Sequence, residues 1–336
     1  MNIVIDLPTV FAFVIAFAVF LYIVMDGFDL GLGMLFPFFP EKKDRDVMMN
    51  SVAPVWDGNE TWLVLGGGAL YAAFPLAYAI LMPAIYTPII AMLIGLVFRG
   101  IAFEFRWRSR RERNQWDVSF AAGSLIAALA QGIALGAILQ GVTVTGRAYG
   151  GGWWDWLTPF SILTGLSVVA GYMLLGVTWL IMKTNGDLRE RAYMLAWPLL
   201  VATLGAILAV SLATPFLDAE YARRWFAWPN IILTAPVPVA VAGITFLLLR
   251  SIAKRQDYYP FPLTLVLFAT SFGGLGVSIF PYIVPRSVTI WDAASPHDSL
   301  LFMIVGVAIL VPIILAYTAW NYWVFRGKID ADSGYH

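Results

Sequence analysis

Cysteine is absent from all 336 residues. That excludes a disulfide framework, a cysteine zinc site, an iron–sulfur cluster and thiolate-ligated haem. Histidine is nearly absent, with only His297 and His336 in the chain. Neither falls inside an apolar run, so no helix supplies the pair for a bis-histidine haem, and only Met or Glu ligation stays open. The same poverty argues against a histidine-rich metal site, and no metal is expected. Charge is scarce as well. Charged residues make up 12% of the chain, about half the usual share. They also cancel, 21 Lys and Arg against 21 Asp and Glu, so nothing suits nucleic acid as a partner. Met1 to Pro8 carries Asp6 and no Lys or Arg, unlike the positive start of a cleavable signal peptide.

What fills the chain instead is apolar. Hydrophobic residues account for 60% and the mean hydropathy is +0.78. A soluble chain needs far more polar surface, so lipid must surround this one. The composition predicts an all-α polytopic membrane protein. Apolar runs of spanning length fall at about 8–36, 53–75, 77–106, 118–142, 158–182, 193–215, 228–250, 261–284 and 299–325. Thr61 to Phe98 has no charge at all and would be about 57 Å long as one helix, roughly twice the hydrocarbon thickness. Phe74-Pro75 offers the break, which makes nine helices. Loop charge supports nine. It puts 16 Lys and Arg on one side against Arg147, Arg223, Arg224 and Arg286 on the other, whereas eight helices give 13 against 7. The positive-inside rule then sets the N-terminus outside and the C-terminus in the cytoplasm. Trp153, Trp154, Trp156, Trp225, Trp228, Trp107 and Trp116 sit near span ends, as interfacial aromatics do. A weak internal echo pairs Gly67-Gly68 and Phe74-Pro75 with Gly273-Gly274 and Phe280-Pro281.

The informative residues are the charges within the spans. Asp26 and Asp29 are three apart in the first helix, which puts both on one face. Asp57 and Glu60 repeat that spacing at the start of the second. Arg99 and Glu104 lie near the end of the third. The predicted topology brings all six to the cytoplasmic half. A carboxylate in hydrocarbon must pair, face water or take a proton. One arginine cannot neutralise several acids, so surplus carboxyls could carry protons inward from the cytoplasm. Blander readings stand beside this one. Asp57 and Glu60 are acids at a helix start, where acids are favoured anyway. Glu104 can sit among headgroups beside Arg106 and Arg108. Asp6, Asp155, Asp218 and Asp292 fall in outer loops and read as solvated.

Longer motifs sharpen the picture. Met25 to Gly33 (MDGFDLGLG), Ala53 to Trp62 (APVWDGNETW), Gly66 to Tyr78 (GGGALYAAFPLAY) and Phe98 to Arg106 (FRGIAFEFR) resemble subunit II of the cytochrome bd quinol oxidases. Phe280 to Pro285, Thr289 to Ala293 and Pro312 to Trp323 (PIILAYTAWNYW) fit the same family in the same order. The compact outer loops are most similar to its cyanide-insensitive branch. The resemblance implies two four-helix bundles, about 1–145 and 158–284, plus a peripheral helix at about 299–325. It implies a subunit of the bacterial plasma membrane that binds no haem itself. The partner would be a subunit I with b-type and, in some members, d-type haem, where quinol is oxidised and O2 reduced to water. A small accessory subunit and bound lipid occur within such complexes. For residues, it implies a proton route through Asp26, Asp29 and Asp57, and a structural quinone near Trp56. Glu104 stands where some relatives carry Asp, and Glu60 where some carry Gln. The alternative is a proton-coupled secondary transporter, which intramembrane carboxyls and glycine-rich, proline-broken helices also suit. Against it, the charges gather at one end and not at the midplane.

Overall fold

The computed structural model describes residues 6–109 and 113–329. Arg110, Arg111 and His336 lie outside that range. The chain is helical almost throughout. In order it forms α1 (Leu7–Leu35), α2 (Lys42–Asn50), α3 (Trp56–Ala73), α4 (Pro75–Arg108), α5 (Arg113–Leu139), α6 (Pro159–Lys183) and α7 (Gly186–Leu217). Then come α8 (Ala219–Phe226), α9 (Ile231–Thr234), α10 (Pro236–Ala253), α11 (Pro260–Ile279), α12 (Ile290–Ala293) and α13 (His297–Val324). Two small antiparallel hairpins interrupt them. β1 (Val144–Thr145) pairs with β2 (Ala148–Tyr149), and β3 (Tyr282–Val284) with β4 (Val288–Thr289).

Eight helices among the described residues are long and apolar enough to cross a membrane. Of the nine spans expected, the one outside that set is α3. Its 18 residues measure about 27 Å, and its first turns carry Asp57 and Glu60. The break expected at Phe74-Pro75 is present. Phe74 leaves the helical region at φ −133°, ψ 61°, as a residue before proline tends to. A second interruption, at Ile85 (φ −119°, ψ 17°), lies between Pro83 and Pro88 of α4. Pro88 cannot donate to the Ala84 carbonyl and its ring crowds that group. Helix α6 starts on a reciprocal cap. The Thr158 hydroxyl accepts from the Ser161 N–H at 3.0 Å, and the Ser161 hydroxyl accepts from the Thr158 N–H at 2.8 Å.

Small residues let the central helices touch. α1 packs on α3, α5 and α6, α4 on α5, and α5 on α6. A Cβ built on Gly31 would lie 1.9 Å from the Tyr172 carbonyl oxygen, and one on Gly176 would lie 2.7 Å from the Gly31 carbonyl carbon. Gly95 and Gly123 meet in the same way between α4 and α5. Such close approach is how helices bind each other where lipid removes the hydrophobic drive.

Each end of the helix array is tied together by its own polar contacts. Arg191, at the start of α7, pairs with Glu41 and Asp44 at the start of α2. The Asn321 amide near the end of α13 donates to the Pro54 carbonyl at 3.0 Å. At the opposite end, Asp6 accepts from the Trp291 indole at 2.9 Å, and the Ser295 N–H donates to the Ala73 carbonyl at 2.8 Å. The segment after α13 crosses the charged end. The Lys183 ammonium donates to the carbonyls of Phe325 and Gly327, and the Ile329 N–H returns to the Lys183 carbonyl. Lys328 pairs with Asp257 at 2.5 Å. Burial pushes the Asp257 carboxyl up, but hydrogen bonds from Lys328, Tyr193 and Arg189 outweigh it and hold it below the usual range.

Candidate functional site

Three helices meet at one buried cation. Arg99 of α4 is fully buried and reaches two acids. One η-nitrogen donates to Asp26 of α1, and the other to Glu60 of α3 at 2.5 Å. Asp26 and Asp29 are both fully buried. Asp29 has a different partner: the Asn59 amide of α3 donates to it at 2.7 Å and to the Met25 carbonyl at 3.3 Å. The Asn59 oxygen accepts from the Tyr322 hydroxyl of α13 at 2.9 Å. Each of the two aspartates keeps one buried oxygen without a hydrogen bond, Oδ2 of Asp26 and Oδ1 of Asp29.

On the other side of Asp26 lies a ring of neutral polar groups. Tyr22 sits one turn before it on α1. The Gln131 amide of α5 donates to the Tyr22 hydroxyl at 2.7 Å, and the Tyr172 hydroxyl of α6 donates to the Gln131 oxygen at 2.7 Å. Trp56 flanks the site. Its ring stacks on Phe103 at 4.7 Å and 5°, and the Arg99 guanidinium lies 5.8 Å from its centroid.

Of the six charged residues picked from the sequence, Asp26, Asp29, Glu60 and Arg99 come together. Asp57 and Glu104 do not. Asp57 is exposed on the first turn of α3. Glu104 is 65% exposed and, among the described residues, pairs with Arg108 at 3.7 Å. Helical geometry accounts for this. Five residues turn about 140°, so with Arg99 facing inward Glu104 must face outward.

The same rule reveals an arginine not singled out from sequence. Arg106 is seven residues beyond Arg99, within about 20° of the same face. It too is buried, paired with Asp117 of α5 and, at 2.7 Å, with Asp46 of α2. Arg45 joins Asp117 at 2.9 Å and Arg113 joins Asp46 at 2.5 Å. In this second cluster every acid is paired, with three cations to two acids. The first differs, with one cation to three acids.

The outer acids read as solvated also have protein partners. Asp218 caps α8 and pairs with Arg286 at 2.9 Å. The Glu220 N–H and then that guanidinium keep its carboxyl below the usual range. Asp155 accepts from the Tyr149 hydroxyl at 2.9 Å.

His297 is exposed at the start of α13, and no cluster of three His, Asp or Glu side chains placed to hold a metal ion occurs among the described residues. Chemically, the Arg99 site is a set of proton-exchanging groups. It contains three carboxyls, of which one cation can neutralise one.

Known proteins resemble the chain along its length. The family model "Cytochrome bd terminal oxidase subunit II" matches residues 7–325. "Cytochrome bd-I ubiquinol oxidase subunit 2" of Escherichia coli K12 is 33% identical, covering 93% of this chain and 92% of the relative. "Cytochrome bd ubiquinol oxidase subunit 2" of Bacillus subtilis is 29% identical over 91% and 92%. A solved bd oxidase from Geobacillus thermodenitrificans shares the fold, with a TM-score of 0.75 at 18% identity over 96% of this chain and 99% of that one. Matches of this extent leave the transporter alternative without support, and the chain belongs to the cytochrome bd terminal oxidase subunit II family.

Proposed function

We propose that this chain is the haem-free subunit of a bacterial plasma-membrane quinol oxidase and delivers protons from the cytoplasm to a haem-bearing subunit I. The overall reaction takes two quinols and one O2 to two quinones and two waters. Haem in the partner supplies the electron transfer and the oxygen chemistry. This chain supplies protons and holds the partner's fold. The observation that carries the reading is the excess of buried carboxyl over cation around Arg99. Asp26, Asp29 and Glu60 cannot all remain charged in a low-dielectric interior beside a single guanidinium. Protons must visit some of them.

In this route Asp57, on the exposed first turn of α3, gathers protons at the charged end. Glu60 lies one turn deeper and passes them to the Arg99 site. Arg99 holds Asp26 in place, while Asp29 takes up and releases a proton against Asn59. Glu104, outward and paired with Arg108 among the described residues, is left out of the route. Nine crossings complete the picture, with α3 among the shortest and the N-terminus outside. The helices fall into two groups of four, before and after the β1–β2 hairpin, with α13 peripheral. A structural quinone, if one binds, packs on the outward edge of Trp56. The short outer loops support the cyanide-insensitive branch.

The test uses the oxidase purified with its partner. Haem bands in a reduced-minus-oxidised spectrum and quinol-driven O2 uptake establish the complex. Asp26→Asn and Asp57→Asn should each slow O2 uptake while leaving the haem spectrum intact. Full rates in both variants would remove this chain from proton delivery.

A further inference from the structure

Asp29 poses a question that Arg99 does not answer. It is fully buried and has no cation among its hydrogen-bond partners. Its one polar side-chain partner is a neutral amide. An amide has two different ends, so its orientation decides what it can offer a carboxyl.

At Asn59 that orientation is fixed from both ends. The NH2 group lies between two acceptors, the Met25 carbonyl at 3.3 Å and Asp29 at 2.7 Å. The amide oxygen faces a donor, the Tyr322 hydroxyl at 2.9 Å. Turning the amide over would set its oxygen against the Met25 carbonyl and strand the tyrosine proton. Tyr322 is itself anchored. Its ring meets Phe28 and Trp179 edge-on, at 6.5 and 6.3 Å. Its neighbour Asn321 holds the Pro54 carbonyl of the loop before α3 at 3.0 Å.

We propose that Tyr322 is a positioning residue for the proton route: through Asn59 it fixes the hydrogen-bond donor presented to Asp29, and so makes α13 part of the site. This rests on the proton-delivery reading above. The ionisable groups that face Asp29 are Asp26 on α1, Glu60 on α3, Arg99 on α4 and Tyr322 itself. Tyr22 and Tyr172 stand around Asp26. With the tyrosine hydroxyl gone, the amide oxygen loses its donor. The amide can then turn, and Asp29 meets a different partner in each of its protonation states.

Tyr322→Phe removes only the hydroxyl and keeps the ring packing. In the assembled oxidase it should lower quinol-driven O2 uptake roughly three- to tenfold. It should also displace the pH profile of that rate by roughly half to one pH unit, the effect of one hydrogen bond on a titration. A purely structural tyrosine would leave that profile in place. Redox-difference infrared spectra give a second readout, because the carboxyl C=O band that disappears in Asp29→Asn should move in Tyr322→Phe. If Tyr322→Phe weakens assembly, Asn59→Gln, which keeps the amide on a longer arm, is read by the same two measurements. A slow Asp29→Asn beside an unchanged pH profile and unchanged carboxyl band in the Tyr322 or Asn59 variant would overturn this inference and leave the proton route standing. Full activity in Asp29→Asn would instead remove Asp29 from the route, and the role of Tyr322 with it.

Discussion

Replacing Arg99 with methionine tests the charge arrangement most directly. Methionine keeps most of the volume and stays flexible enough to pack, so the change is chiefly the loss of a cation. Two acids lose their partner, and they do not count equally. The Glu60 side chain is 27% exposed, so it can turn toward water, and its pair is worth no more than about 1 kcal/mol. The Asp26 side chain is 0% exposed, and stranding a buried partner costs about 3–5 kcal/mol. Losing the contact with Trp56 adds roughly 0.5–1 kcal/mol. Arg99→Met should therefore destabilise the assembled oxidase by about 4–7 kcal/mol, most of it through Asp26. Adding Asp26→Asn removes the stranded charge. The double variant should then recover about 2 kcal/mol, some thirtyfold in an equilibrium constant. The assay is a double-mutant cycle on the detergent-solubilised complex, with denaturation followed by loss of the haem bands. Single-variant losses that add within about 0.5 kcal/mol would refute the reasoning, because they would mean that Asp26 does not depend on Arg99 for its charge.

Two further outcomes follow from other parts of the fold. Gly31→Ala drives a methyl to within 1.9 Å of the Tyr172 carbonyl. Backbone cannot rotate away, so thermal unfolding should show a loss of about 1–3 kcal/mol, whereas Gly205→Ala, with no atom within 4 Å, should be neutral or gain up to about 1 kcal/mol. The Asp257 clamp gives a pH dependence. Its carboxyl is held below the usual range by Lys328, Tyr193 and Arg189 against the opposing effect of burial, so the stabilising form is the carboxylate. That stability is present above the ordinary carboxylate value of about 4 and is lost as pH falls through the lowered one. Asp257→Asn should therefore lower the unfolding midpoint at pH 6, and by less near pH 3. A gap of equal size at both values would contradict the assignment.

How much of this site can be read from sequence depends on what each residue type reveals. A charge inside an apolar run announces itself, because hydrocarbon tolerates it only with a partner. Asp26, Asp29 and Arg99 are legible for that reason. So is the Phe74-Pro75 break, because one uncharged helix there would overshoot the membrane. What hydropathy does not reveal is azimuth. Asp57 and Glu60 are three apart, yet three residues still separate them by about 60°, enough for one to reach Arg99 while the other stays at the surface. Arg106 is hidden by position. It falls where a span meets its loop, and loop arginines are expected there. Only its seven-residue spacing from Arg99 marks it as inward, and Asp46 and Asp117 become its partners once α2 folds back onto α5.

The neutral members of the site are the least legible. Asn59, Gln131, Tyr22, Tyr172 and Tyr322 neither raise hydropathy nor violate it. Each becomes informative only when a carboxyl is found beside it. The partition has a physical cause. In a membrane interior the charges that must be neutralised fix where a site lies, and uncharged hydrogen-bonding groups fix how its protons are held. Those groups come from α1, α3, α5, α6 and α13, so the site is complete only when the chain's last long helix has docked. A truncation before α13 should thus leave Asp26 paired with Arg99 while removing the Tyr322 donor from Asn59. The defect would appear at Asp29 first, which is why the two aspartates, three residues apart on one face of one helix, are expected to respond differently to the same loss.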